Sequence, residues 1–406
     1  MTHTQKKSDI FESTHQVHNQ QFTVSFDYPV YFTRNLFNKE HSLLEKVITR
    51  KNGNLPHRVM AYVDSRVAQK TPDLIPAIVE YFRFRSNKLD LVQVPQVIEG
   101  GESAKNGWGD VRKIISAIGD SHLDRQSFIL AIGGGSLLDM VGFACSLVHR
   151  GIRIIRIPTT VLSQNDAGVG VKNGMNEREI KNFLGTFAPP FAVIDDYDFL
   201  GTLEHKDWVG GIAEAFKVAI IKDPEFFSFL CEHAEALNSQ DASLMETLIH
   251  RCAVIHLDHI SGSGDPFEFG SSRPLDFGHW SAHTLEALSS FTLGHGQAVA
   301  IGIALDSFYA CKKGMLTKEE LNSILTGLET SGLPVYSPFL SNENTDGKLK
   351  ILEGLEQFRE HLGGRLTLAM PNSIGKQCEI NDMDINIVKD GVTFLKERAG
   401  LKKNNE

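Results

Sequence analysis

SFILAIGGGSLLDMVGFACSLVHRG, residues Ser127–Gly151, is the stretch that decides the fold. It reads as an apolar strand, a glycine turn and a helix. In Gly133-Gly134-Gly135-Ser136 the backbone has no side chains to keep an anion away, and the first turn of the helix offers free N–H groups and partial positive charge. Asp139 stands three residues past Ser136, as a capping-box partner would. The spacing is not GxGxxG, and a tight turn without a ligand is the plainer alternative.

Outward from this unit the same alternation repeats. Upstream lie a strand at Arg58–Val63 ending in Asp64, a helix opened by Thr71-Pro72 and running through Ala77–Tyr81, and a strand at Leu89–Val94. The loop VIEGGESAKNGWGD then leads into a helix near Val111–Ile118. Downstream, the strand Arg153–Ile157 ends at Pro158. Strands alternating with helices predict a Rossmann-like, doubly wound parallel sheet. The aromatic, alternating run Gln21–Phe37 suits an edge strand or a hairpin. From about Trp208 the periods turn helical, with one stripe at Leu244, Leu248, Cys252, Ile255 and His259. Leu366–Met370 is the exception, a strand-like run. The expected organisation is a flexible tail over 1–20, an α/β domain over 21–205 and a mostly helical domain over 206–400.

A chain of 406 residues with 41% hydrophobic and 22% charged residues holds two ordinary globular cores. No uninterrupted apolar run approaches a membrane span. The polar start MTHTQKKSDIFESTHQ lacks a signal-peptide core. Five scattered cysteines suit reduced thiols and a cytoplasmic protein. A net charge of −9 argues against nucleic acid as a partner but not against a phosphorylated small molecule. Charges are screened beyond about 8 Å, so local lysines decide.

The chemistry concentrates in Arg273–Gly302, RPLDFGHWSAHTLEALSSFTLGHGQAVAIG. His279 and His283 share one helix face, about 6 Å apart. His295 opens the next helix, and a short turn between the two helices can bring His279 and His295 to one point. Imidazoles suit zinc and similar ions, and a third donor is wanted. Glu214, on an apolar helix three residues before Lys217, is the candidate. Core histidines with ordinary hydrogen bonds are the alternative, and spacing does not choose between them.

Other candidates sit on strand-end loops. Asp64 stands where ribose hydroxyls are often held; Glu102 with Lys105, and Thr159 with Thr160, share that sheet edge, so a dinucleotide site is expected there. The run TTVLSQNDAGVGVKNGMNEREIKNFLGTFAPP reads as a turn-rich loop presenting Asp166, Lys172, Lys181 and Asn182 to an anion. His256 and His259 form an HxxH on a helical stripe and read as structural.

Taken together, GGGSLLDMVGF, RGIRIIRIPTTVLSQNDAGVGVKNG, KNFLGTF, GGIAEAFK, LDFGHWSAHTLEAL and LGHGQAVAIG resemble the sugar phosphate cyclase family, whose familiar member is 3-dehydroquinate synthase. The resemblance spans roughly residues 58–375. It implies Glu214, His279 and His295 as ligands of Zn2+ or Co2+. It implies an NAD site lined by Asp64, Glu102, Lys105, Gly134, Gly135, Ser136, Asp139, Thr159 and Thr160. Asp166, Lys172, Lys181, Asn182, Lys217, Arg273 and His283 surround the sugar phosphate, with Lys181 also assigned to the cofactor side. Arg150 reaches the site of a partner subunit in a homodimer. The implied reaction is transient oxidation of a ring hydroxyl, phosphate elimination, return of the hydride, and an intramolecular aldol closure, making the enzyme a phosphate-eliminating lyase.

Three departures concern the substrate. Asp276 stands where dehydroquinate synthase has asparagine, and the upstream arginine, Arg273, lies one residue closer than in the family. The lysine of the preceding helix is missing, with His256 or Ile255 in its place. Phe358-Arg359-Glu360-His361 replaces a late Asp-Lys-Lys segment. An ionised Asp276 accepts hydroxyl hydrogen bonds but opposes a carboxylate. The expected substrate is therefore a neutral ketose phosphate such as sedoheptulose 7-phosphate. The rivals are 3-dehydroquinate synthase itself, a metal-dependent polyol dehydrogenase, and a silent binding module.

Overall fold

The computed structural model describes residues 17–51, 56–178, 180–262, 265–267, 273–361 and 364–403. Most of the expected N-terminal tail and Leu362-Gly363 of the late segment lie outside the described residues.

Seven parallel strands form the main sheet: β1 (Val30–Thr33), β2 (His57–Asp64), β3 (Leu89–Leu91), β4 (Gln96–Ile98), β5 (Phe128–Gly133), β6 (Arg153–Pro158) and, after a hairpin of β7 (Lys172–Glu177) and β8 (Ile180–Phe187), β9 (Ala192–Asp196). Their order is β1-β9-β6-β5-β2-β3, with β4 also on β2. Both faces are covered, which is why strand residues of either parity are apolar. Val59, Ala61, Val63, Phe128, Leu130 and Ile132 face one buried cluster; Met60, Tyr62, Ile129 and Ala131 face the other. Helix α1 (Gly135–Leu147) lies on the second face.

The strand order reverses between β2 and β5, and in sheets of this kind ligands bind at that switch point, outside the carboxyl ends of the strands. Asp64 ends β2 and the glycine turn ends β5. They are close neighbours: a Cβ on Gly133 would lie 3.1 Å from the Asp64 Cβ, and one on Gly100 would overlap the Asp64 carboxylate.

The rest is mostly helical, built on one large apolar cluster. It includes α2 (Ile212–Lys222), α3 (Ala242–Gly262), α4 (His279–Leu288) and α5 (His295–Lys312). Two backbone contacts fix α5. A Cβ on Gly302 would overlap the Gly278 carbonyl at the start of α4, and one on Gly296 would overlap the carbonyl of Gly210. Gly278 also has φ +78°, a conformation that disfavours a side chain. Five cysteines are free, and Cys145 and Cys252 are buried. No helix among the described residues is long and apolar enough to cross a membrane.

The structure sharpens two expectations and corrects one. The run Gln21–Phe37, read as an edge strand or a hairpin, takes the first form: it supplies β1, parallel to β9 at the sheet edge. The stretch read as a loop after Thr160 is instead a π-helical turn at Ser163–Ala167 followed by the β7–β8 hairpin. Its polar, glycine-containing residues hid the strands, because half of β8 faces solvent and shows no apolar alternation. In the helical part, the strand expected at Leu366–Met370 is β10 (Leu368–Ser373), and it has an unforeseen partner, β11 (Lys376–Ile380), across Gly375 at φ +84°.

Candidate active site

Glu214, in the first turn of α2, is fully buried. Its Oε1 lies 3.3 Å from His295 Nε2 and 3.6 Å from His279 Nε2. Among the described residues, these three side chains form one of two groups of potential ligands whose atoms all fall within 4.8 Å of each other. Helix α4 delivers His279 from its first position and α5 delivers His295 from its first position; the Gly278–Gly302 contact packs the start of α4 against α5 two turns beyond His295.

The protons on the two rings can be assigned from their partners. His279 Nδ1 faces the Phe277 carbonyl at 3.1 Å, and His295 Nδ1 faces the Glu286 carboxylate at 3.0 Å. Both partners only accept, so each Nδ1 carries the hydrogen and each Nε2 is turned toward Glu214; burial lowers His279, whereas the Glu286 and Glu214 carboxylates raise His295 to about 9 against its burial. Two imidazole nitrogens thus converge on one buried carboxylate oxygen, at 3.3 and 3.6 Å. A divalent cation accepting all three donors resolves that convergence, and the donor set suits zinc or a similar ion.

Lys217, one turn along α2 and also buried, is in ion-pair contact with Glu214 Oε2 and lies 3.8 Å from Asp166 Oδ1. Burial is the largest single effect and would raise the Glu214 carboxyl, but Lys217, His295 and His279 together outweigh it and hold the group at about 2. Asp166, in the π-helical turn, behaves alike: burial opposes its charge, and Lys217 and His256 carry it well below the usual carboxylate range. His256 Nδ1 is 2.9 Å from Asp166 Oδ1. His256, read from the sequence as structural, thus meets the Asp166 turn from α3, whereas His259 turns to Lys222 at 3.3 Å. Burial, then His279 and Lys181, push His283 down to about 3, so this ring is neutral.

Asp276 sits half-buried in the turn before α4. Burial opposes its charge, but Lys172, His279, Arg273 and Lys217 prevail and keep the carboxyl below its ordinary value. Lys172 opens β7 at the solvent side of the same cleft.

A second polar cluster surrounds the glycine turn. Lys105 Nζ, buried, donates to Asp139 Oδ2 at 2.7 Å and contacts Asn182 Oδ1. Glu102 accepts from Ser136 Oγ at 3.1 Å and Asn176 Nδ2 at 2.9 Å. Thr160 Oγ1 pairs with Ser163 Oγ at 2.9 Å, while the buried Thr159 hydroxyl has no described partner. Asp64 accepts from the Arg66 N–H at 2.8 Å, capping the following helix. A Cβ on Gly134 would lie 3.4 Å from Thr160 Cγ2, and one on Gly135 would lie 3.2 Å from the Ala167 Cβ, so the glycine turn abuts the turn that carries Asp166.

The β8 strand joins the two clusters. Lys181 Nζ reaches Glu286 Oε1 at 2.6 Å beside His295, while the adjacent Asn182 reaches Lys105 beside the glycine turn. Asn182 has φ +54° at a register shift in the hairpin, which lets consecutive side chains diverge. Arg150 is elsewhere, past the far end of α1, about 20 Å from the glycine turn by helical rise.

Sequence reasoning passed over Glu286, Asn176 and Asp306. Glu286 was legible, being three residues past His283 and seven past His279 on one helix face. Asp306 accepts from Trp280 Nε1 at 2.8 Å and the Gly278 N–H at 3.0 Å, and no spacing in the sequence announces such a contact across two helices.

Family models described as 3-dehydroquinate synthase N-terminal and 3-dehydroquinate synthase C-terminal match residues 95–210 and 211–352. A 3-dehydroquinate synthase of Campylobacter fetus subsp. fetus (strain 82-40) is 33% identical over 322 residues, covering 76% of this chain and 86% of that one. The chain belongs to the sugar phosphate cyclases, the family of 3-dehydroquinate synthase. Among solved structures, this cyclase-family fold is similar to ValA, a 2-epi-5-epi-valiolone synthase from Streptomyces hygroscopicus subsp. jinggangensis 5008 with NAD+ and Zn2+ bound. The TM-score is 0.83 at 29% identity, over 94% of this chain and 100% of that one. A 2-deoxy-scyllo-inosose synthase complexed with carbaglucose-6-phosphate, NAD+ and Co2+ shares the fold at TM-score 0.73 and 20% identity, over 90% and 96% of the two chains.

Proposed function

We propose that the chain is an NAD- and divalent-metal-dependent cyclase of a ketose phosphate that bears no carboxylate, of the sedoheptulose 7-phosphate kind. The observation that carries the reading is Asp276, held ionised among Lys172, His279, Arg273 and Lys217. A substrate carboxylate about 4 Å from that charge is opposed by ~1 kcal/mol in water and ~4 kcal/mol at an effective dielectric of 20. A sugar hydroxyl at the same place donates to it instead.

Bound NAD+ and a cation held by Glu214, His279 and His295 would supply a hydride acceptor and Lewis acidity. The chain's own residues do the rest. Lys217, between two carboxylates, keeps its ammonium and faces negative charge developing on the sugar. Neutral His283 exchanges hydrogen bonds with a sugar hydroxyl in either direction. Lys172 and Arg273 attract the phosphate at the mouth of the cleft. Arg150 acts only across an interface, so the reading includes a homodimer.

The second reading, 3-dehydroquinate synthase, is favoured by the names of the sequence relatives. Phosphate release from purified protein with NAD+ and Zn2+ decides between them. Sedoheptulose 7-phosphate should turn over without NADH accumulating, and Asp276→Asn should raise relative kcat/KM for the carboxylated heptulosonate phosphate by about 10²-fold, within the span that charge opposition allows. Turnover of the carboxylated sugar alone overturns the proposal, and net NADH from a polyol would favour a dehydrogenase.

A further inference from the structure

The second group of potential metal ligands, His283, Glu286 and His295, shares His295 with the first. Glu286 is 3% exposed and both its carboxylate oxygens are engaged. Oε1 takes Lys181 Nζ at 2.6 Å, and Oε2 takes His295 Nδ1 at 3.0 Å. Glu214, by contrast, has an Oε1 with no described partner. The two acids beside His295 are therefore in different states of use.

We propose that Glu286 is a positioning residue: it fixes the proton and ring orientation of His295, and through Lys181 it makes the cation site and the β7–β8 hairpin answer to one carboxylate. The proposal rests on the cation part of the functional reading above.

The argument is one of donors and acceptors. A carboxylate is the one side chain that accepts at both ends. Lys181 brings an ammonium from β8, and His295 can bind a cation through Nε2 only while Nδ1 keeps its hydrogen. Glu286 satisfies both donors at once. An imidazole whose other nitrogen donates to a carboxylate is oriented and made more basic toward the ion, and loss of such a partner weakens metal binding by about 10- to 100-fold. Glutamine in this place has one acceptor and one amine. It can serve either Lys181 or His295, and its amine must then face the other donor. Lys181 and His295 thus compete for a single oxygen in Glu286→Gln, whereas in Lys181→Met/Glu286→Gln that oxygen is left to His295.

The test measures cation affinity, not turnover. The full-length chain, stripped with chelator, is titrated with Zn2+ against a chromogenic chelator, and with Co2+ for its visible spectrum. The wild type should bind one ion per chain. Glu286→Gln should bind one ion about 10- to 100-fold more weakly, and Lys181→Met should stay within about threefold of wild type. The double variant should bind more tightly than Glu286→Gln alone. Recovery on adding a second lesion is not what a carboxylate that merely stabilises the fold would give, and urea midpoints in chelator show whether each variant is folded. Equal affinity in Glu286→Gln and wild type overturns the proposal, as does a double variant weaker than Glu286→Gln. Two ions per wild-type chain, the second lost in Glu286→Gln, would make Glu286 a ligand and overturn it as well. A wild type that binds no ion at all instead sinks the cation site of the functional reading.

Discussion

The two polar clusters in the cleft are built on opposite terms. Around the glycine turn, Lys105, Asp139, Glu102, Asn176, Ser136 and Asn182 satisfy one another, and donors and acceptors are matched within the protein. Around Glu214, two imidazole nitrogens and a carboxylate oxygen converge with no matched set of donors and acceptors among the described residues. A complete network rigidifies its surroundings, whereas an incomplete one is costly until its partner arrives. One half of the cleft is finished by folding. The other brings together donors that folding alone does not match.

The contrast can be strained at three points. The largest effect is expected beneath the ion-binding half, at Asp306. Burial pushes this carboxyl up to about 7 against the bonds from Trp280 and Gly278. An unfolded chain ionises it near 3.8. Between those values the folded state alone keeps the proton, so stability falls as pH rises through the window and is level above it. The full loss is about 4 kcal/mol, and Asp306→Asn should abolish this slope. Urea midpoints of both proteins at pH 5 and pH 8 measure it, and parallel profiles would show the carboxyl is not strained.

The next largest belongs to the finished half. Lys105→Met removes the partner of Asp139 and should cost about 3 kcal/mol in apparent stability, with or without metal. A cost that appears only when metal is present would erase the distinction between the halves.

The smallest concerns the ion itself. Zn2+ at 100 times its dissociation constant should raise stability by about 2.7 kcal/mol in wild type and in Lys105→Met, and by nothing in Glu214→Gln. Calorimetric scans with metal and with chelator read this difference. Stabilisation retained by Glu214→Gln would move the ion elsewhere.

The sheet was legible because buried parallel strands are continuous apolar runs and a glycine turn punctuates β5 and α1. Glu214, His279 and His295 stood out through residue type, and the structure brings them together. What escaped reading was set by contacts distant in sequence. The β7–β8 hairpin is half solvated and polar, so its period is faint. His256 shares a helix with a core stripe, and only the packing of α3 beside the Asp166 turn aims it into the cleft. The role of Asp306 depends on α5 lying against the start of α4.

That last contact has a wider consequence. Where Gly302 meets Gly278 and Gly296 meets Gly210, main chain touches main chain, and the spacing of the two imidazoles is inherited from the backbone. Residues such as Asp276 and His256 can then be exchanged while Glu214, His279 and His295 keep their spacing. One rigid template of this sort can serve many ring-closing chemistries, and the single change it will not absorb is a methyl group at a glycine.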